Sequence, residues 1–202
     1  AVDRLLTEGT DAMETALAHI PDQIPFLISV ARGSSDHACT FLKYASEIEL
    51  GLPMASVGPS VASLYKAPIK ADRALCLAVS QSGKSPDIVS LTKSLKGSGA
   101  TCVAITNDPA SPLAQAATVT LPLSAGPERS VAATKTFVTS LVAGLWLIAS
   151  IKRDPDLVAA ARDQPLYGVH RRGRGDRAGQ DGLWRPRPEP VQPCDGWSGV
   201  PH

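Results

Sequence analysis

Five short apolar runs, at 26–30, 54–57, 74–79, 100–105 and 119–123, show none of the regular polar alternation of a half-wet strand. Unbroken runs of this length belong to strands covered on both faces. Helical patterns follow them. Ala38, Phe41, Leu42, Ala45 and Ile48 recur at helical spacing after the first run, and Gly51 and Pro53 close that helix. Residues 61–66 form a short helix after the second run, 86–96 a longer one after the third, and 134–151 the last. Strand followed by helix, repeated, predicts an α/β fold: a five-stranded parallel sheet between two helical layers. Ligands of such sheets bind outside the carboxyl ends of the strands, so the turns there are where function is sought.

With 202 residues, 44% of them apolar, the chain can bury one sizeable core. A net charge of +1 and 4% aromatic content exclude a nucleic-acid binder and a membrane-surface protein. Cys39, Cys76, Cys102 and Cys194 lack metal-ligand spacing, and three lie inside apolar runs. No metal site and no cofactor is expected. Unpaired cysteines and the lack of a signal sequence predict a cytoplasmic protein. The apolar stretch 137–151 is about 15 residues, short of the roughly 20 that a membrane span needs, and reads as a core helix. Before the first strand, Leu5, Leu6, Met13, Ala16, Leu17 and Ile20 predict one amphipathic helix within 1–25, ended by Pro21 and Pro25.

Three turns carry the chemistry. The third strand run leads into Ser80-Gln81-Ser82-Gly83-Lys84-Ser85, and Pro86 and Asp87 then open a helix. Gly83 allows a tight turn and close approach to a ligand. Ser85 stands where a helix N-cap is expected, and the helix start offers free N–H groups to an anion. Hydroxyls and an amide around them make a phosphate cradle of neutral groups; the alternative is a polar loop with a cap. The spacing is not that of the nucleotide P-loop. A second turn, Gly33-Ser34-Ser35-Asp36-His37, repeats the glycine-plus-hydroxyl solution after the first strand. There Ser35 could simply cap the helix, and His37 is either a helix-start histidine or a catalyst. In the third turn, between the last strand and the last helix, Glu128 and Lys135 could serve as a general base and a cation near a carbonyl. The alternative is a solvated loop with Thr134 as the cap.

Together the three turns resemble the sugar isomerase (SIS) family. Gly33-Ser34-Ser35-Asp36-His37-Ala38 resembles its G-[TS]-S-x-x-A turn, Ser80 to Ser85 its S-Q-S-G-x-[TS] turn, and Glu128 to Lys135 its E-x-x-V-A-[SA]-T-K segment. The resemblance implies a flavodoxin-like three-layer αβα sandwich over 26–152. It implies that Ser80, Gln81, Ser82 and Ser85 hold a sugar phosphate, that Gly33, Ser34 and Ser35 contact the sugar, and that Val131 lines the pocket. Its nearest members are the isomerase half of glutamine–fructose-6-phosphate aminotransferase and the glucosamine-6-phosphate deaminases that lack a glutaminase half. Those enzymes interconvert fructose 6-phosphate and glucosamine 6-phosphate without a cofactor. A hexose 6-phosphate ligand and a homodimer formed by SIS pairing are implied. So is a principal acid/base in a second domain, with this chain as an inactive first half. SIS domains also serve as sensors in sugar-responsive regulators, which is the alternative role.

Residues 153–167 read as a linker. From 168 to 202 the composition changes to six Arg, seven Gly and five Pro, with no Lys, Ile or Phe. That segment cannot build a core. It is expected to be disordered and to be an out-of-frame reading of a GC-rich gene.

Overall fold

The computed structural model describes residues 1–128 and 133–163. The tail expected to be disordered, 168–202, and Val131 lie outside the described residues.

The five strands form where the apolar runs predicted them: β1 (Leu27–Val30), β2 (Met54–Ser56), β3 (Leu75–Val79), β4 (Thr101–Thr106) and β5 (Val119–Pro122). They make one parallel sheet in the order β2-β1-β3-β4-β5. The helices are α1 (Val2–Glu8), α2 (Thr10–His19), α3 (Ser34–Glu49), α4 (Ser60–Ser63), α5 (Pro86–Gly97), α6 (Pro112–Ala116), α7 (Thr134–Lys152) and α8 (Pro155–Asp163). Side chains leave the strands alternately. Leu75, Leu77, Val79, Val103 and Ile105 face a core shared with α1, α2, α3, α7 and α8. Cys76, Ala78, Cys102 and Ala104 face a second core shared with α4, α5 and α6. On β3 and β4 the larger residues face the first core and the smaller ones face the second. Each fully buried Leu, Ile or Val contributes roughly 1.5–3 kcal/mol, so these two faces account for most of the drive to fold. The cysteines within them behave as small apolar residues, and Cys39, Cys76 and Cys102 are buried free thiols.

Several expectations are corrected. The single N-terminal helix is two, broken at Gly9, a weak helix former. A side chain there would run into the Leu5 carbonyl and the Trp146 ring, so the break lets the backbone rest on α7. On α3, Phe41 and Ile48 are not in the core: they are 36% and 59% exposed, and the buried stripe is Ala38, Cys39, Leu42, Ala45 and Ser46. The helix presses on α7 through a narrow line of small residues. Gly144 of α7 has no room for a side chain beneath Leu42, so the outer apolar residues of α3 are left outside. The stretch expected as a linker carries α8, which opens on an Asp154-Pro155 start, with Asp154 Oδ1 accepting from the Leu157 amide at 3.0 Å. Its Arg162 lies over the Trp146 ring at 5.2 Å. Helix α7 is long and apolar enough to cross a membrane by length and composition. Here it is a core helix, with Trp146, Leu147, Ile148 and Ala149 buried.

Candidate functional site

From β1 the chain passes to α3 on one side of the sheet; from β3, the neighbouring strand, it passes to α5 on the other. The order reverses between these strands, and a crevice opens at their carboxyl ends where the diverging connections leave it uncovered. Both hydroxyl turns lie at this crevice.

The Ser80–Ser85 turn is held from within and from behind. Gly83 donates its N–H to Ser80 Oγ at 3.2 Å, and Lys84 donates to Ser82 Oγ at 3.4 Å. The Gln81 carbonyl accepts from the Asn107 amide at 3.1 Å and from Thr106 Oγ1 at 3.3 Å, while the Gly83 carbonyl accepts from the Leu113 amide at 3.0 Å. Gly83 sits at φ +62°. A Cβ there would be strained and would meet Ser111 Oγ and Cβ, so the turn needs glycine for both shape and space. Ser85 occupies the N-cap position with Pro86 at the first helical position, as expected, but its hydroxyl caps nothing. Instead Asp87 Oδ1 accepts from the Ile88 amide at 3.0 Å. Among the described residues, the side-chain polar groups of Ser85 and Gln81 are therefore uncommitted.

In the first turn Gly33, at φ +59°, is itself the N-cap of α3, with no side-chain cap. Ser34 and Ser35 are the first two helical residues, so Ser35 does not cap, and both hydroxyls are uncommitted among the described residues. His37 is exposed on the first turn of the helix. The two turns are joined by an ion pair that sequence reading missed: Arg32 Nη1 lies 2.6 Å from Asp87 Oδ2.

In the third segment, Glu128 Oε2 accepts from the Thr136 amide at 3.2 Å and from Thr136 Oγ1 at 3.1 Å. It thereby caps α7, a role that the alternative, solvated-loop reading gave to Thr134. Lys135 Nζ donates to the Pro127 carbonyl at 2.7 Å and is exposed. No ion pair joins Glu128 to Lys135 among the described residues. Both groups are engaged in fastening the turn to its helix. The base of this turn is tied to the Ser80–Ser85 turn by Asn107, another residue sequence reading passed over. Asn107 Nδ2 donates to the Gly126 carbonyl at 2.9 Å, and Asn107 Oδ1 accepts from the Ala125 amide at 2.9 Å. Its only sequence signal was its place immediately after β4, where Asn commonly serves turn geometry.

Two clefts lie at the other end of the sheet. One of about 640 Å³ is bounded by Ser150, Arg153 and Arg162, and one of about 460 Å³ by Ile24, Leu52 and Arg73. Neither is lined by residues of the hydroxyl turns.

Residues 26–150 match the SIS domain family model, which spans the sheet, both hydroxyl turns and most of α7. The chain belongs to the SIS domain family. Glutamine–fructose-6-phosphate aminotransferase (isomerizing) of Caldanaerobacter subterraneus subsp. tengcongensis is 36% identical to it over 128 residues, which are 63% of this chain and 21% of that protein. A solved structure from Silicibacter pomeroyi DSS-3, assigned to the phosphosugar isomerases, is 57% identical with a TM-score of 0.78. The match covers 81% of this chain and 50% of that one. The same fold, at 19% identity and a TM-score of 0.60, occurs in the Vibrio vulnificus NanR protein complexed with ManNAc-6P, over 76% of this chain and 58% of that one. The SIS chain described here thus spans about a fifth of that aminotransferase and half of the S. pomeroyi chain.

Proposed function

We propose that this SIS domain binds the phosphate of a hexose 6-phosphate in the Ser80–Ser85 turn, as part of an enzyme that interconverts fructose 6-phosphate and glucosamine 6-phosphate by isomerisation, deamination or amination. The observation that carries this reading is the turn itself: a glycine-dependent loop, rigidly backed by β4, presenting uncommitted Gln81 and Ser85 groups at a helix start. Ser82 adds a hydroxyl that accepts from the Lys84 amide at 3.4 Å. The chemistry of such enzymes moves a proton between C1 and C2 of the open-chain sugar, which requires a base and stabilisation of charge at the carbonyl. Within this chain Ser80, Gln81, Ser82 and Ser85 hold the phosphate, and Gly33, Ser34, Ser35 and Val131 contact the sugar. Glu128, whose carboxylate fastens α7, positions the third turn, and Lys135 does likewise. The principal acid/base belongs to a second SIS domain, and this chain alone turns nothing over.

The exposed residues Phe41, Tyr44 and Ile48, at i, i+3 and i+7 on α3, suit a face covered by a second SIS domain, here another copy of the chain. Three buried free thiols fit a cytoplasmic setting.

The test compares thermal stabilisation by fructose 6-phosphate with that by fructose, in the parent and in Ser82→Ala/Ser85→Ala. Each lost hydrogen bond to the phosphate removes about 1.5–3 kcal/mol, so the double variant binds at least about a hundredfold more weakly. Equal stabilisation by both sugars, or an unaffected double variant, overturns the proposal.

A further inference from the structure

Asp87 creates an electrostatic difficulty for the proposed phosphate site. The first turn of α5 is where free amides and the helix dipole favour an anion. A carboxylate is already there: Asp87 is the second residue of the helix, and its Oδ1 takes the Ile88 amide at 3.0 Å. A sugar phosphate brings a charge of about −1.5 to −2 at neutral pH. Beside an uncompensated carboxylate it would be repelled. Arg32, from the turn after β1, places its guanidinium 2.6 Å from the other carboxylate oxygen. Beside the same turn, Lys84 and Asp108 lie 3.9 Å apart and offset one another.

We propose that Arg32 is a positioning residue that neutralises Asp87 and so makes the Ser80–Ser85 turn competent to accept a dianionic phosphate. The pair also spans the crevice, tying the Gly33-Ser34-Ser35 turn to the start of α5. The side chains of Arg32 and Asp87 are 65% and 22% exposed, so the arginine contributes little as packing and its role is one of charge and registry. The inference rests on the phosphate reading of the turn.

A double-mutant cycle tests it, using calorimetric titration of the full 202-residue chain with glucose 6-phosphate. Arg32→Gln weakens binding about tenfold, because the carboxylate is left bare next to the ligand. Asp87→Asn, which keeps an acceptor for the Ile88 amide, binds as well as the parent or more tightly. In Arg32→Gln/Asp87→Asn the affinity returns to within about threefold of the parent, since there is no longer a charge to offset. Thermal melts establish that each variant is folded. Unchanged binding by Arg32→Gln overturns the inference. So does equal weakness of Arg32→Gln and the double variant, which would mean that Arg32 touches the phosphate directly. If the parent itself does not distinguish glucose 6-phosphate from glucose, the phosphate reading fails, and the role of Arg32 with it.

Discussion

Replacing Asn107 by alanine removes the fastening between the turns after β4 and β5. Two side-chain hydrogen bonds of 2.9 Å are lost, one donated to the Gly126 carbonyl and one accepted from the Ala125 amide. Each is worth about 1 kcal/mol net, and the stranded backbone groups add to the cost where water reaches them poorly. The site is half-buried, so the total is about 2–3 kcal/mol. For a domain of this size each kcal/mol moves the melting temperature by about 2–4 °C, giving a fall of about 4–12 °C. Asn107→Asp should fall between parent and alanine. It keeps the acceptor for Ala125 but sets a carboxylate against the Gly126 carbonyl. The backbone bond from the Asn107 amide to the Gln81 carbonyl survives in both variants. Calorimetric melts of the three proteins read the order directly. An Asn107→Ala protein that melts within about 1 °C of the parent would refute the view that this side chain laces the turns together.

Three further outcomes follow from the same structure. Gly83→Ala forces a side chain into a φ of +62° against Ser111, costing about 2–4 kcal/mol in urea unfolding; unchanged stability would contradict the tight turn. Burial, and secondarily the Asp36 charge, push the Cys39 thiol from its ordinary 9.0 up to about 12. The unfolded chain therefore releases this proton first, and stability falls as pH rises from about 9 towards 12; Cys39→Ala should flatten that part of the profile measured by denaturation. Tyr44→Glu/Ile48→Glu should turn a dimeric parent into a monomer by light scattering, and a parent already monomeric would remove the case for pairing through α3.

The sheet was readable in the sequence because its strands are buried on both faces, and an unbroken apolar run has few other uses in a chain of alternating strand and helix patterns. All five strands fall within a residue or two of the runs. What escaped depended on contacts distant in sequence. Gly9 breaks a helix because Trp146, far along the chain, sits against it. Phe41 and Ile48 match the spacing of a core stripe, but the close approach of Gly144 to Leu42 narrows the contact and leaves them outside. Helix α6 has five residues, too few for a periodicity to show. The turn from Ser80 to Ser85, between β3 and α5, could be placed from its residues and the strand before it. The bonding within it could not: Ser85 stands at the cap position without capping, Asp87 is answered by Arg32 across the crevice, and Glu128 holds the start of α7.

The central claim is that the phosphate sits in the Ser80–Ser85 turn, at the carboxyl ends of β1 and β3. Titrating the ¹⁵N-labelled chain with fructose 6-phosphate and following its amide resonances locates the ligand without a variant. The predicted result is that the amides of Ser82, Gly83, Lys84 and Ser85 shift first and furthest, those of Ser34 and Ser35 follow, and fructose moves none of them. Shifts confined to the opposite end of the sheet, around Ile24, Arg73 and Arg153, would contradict it.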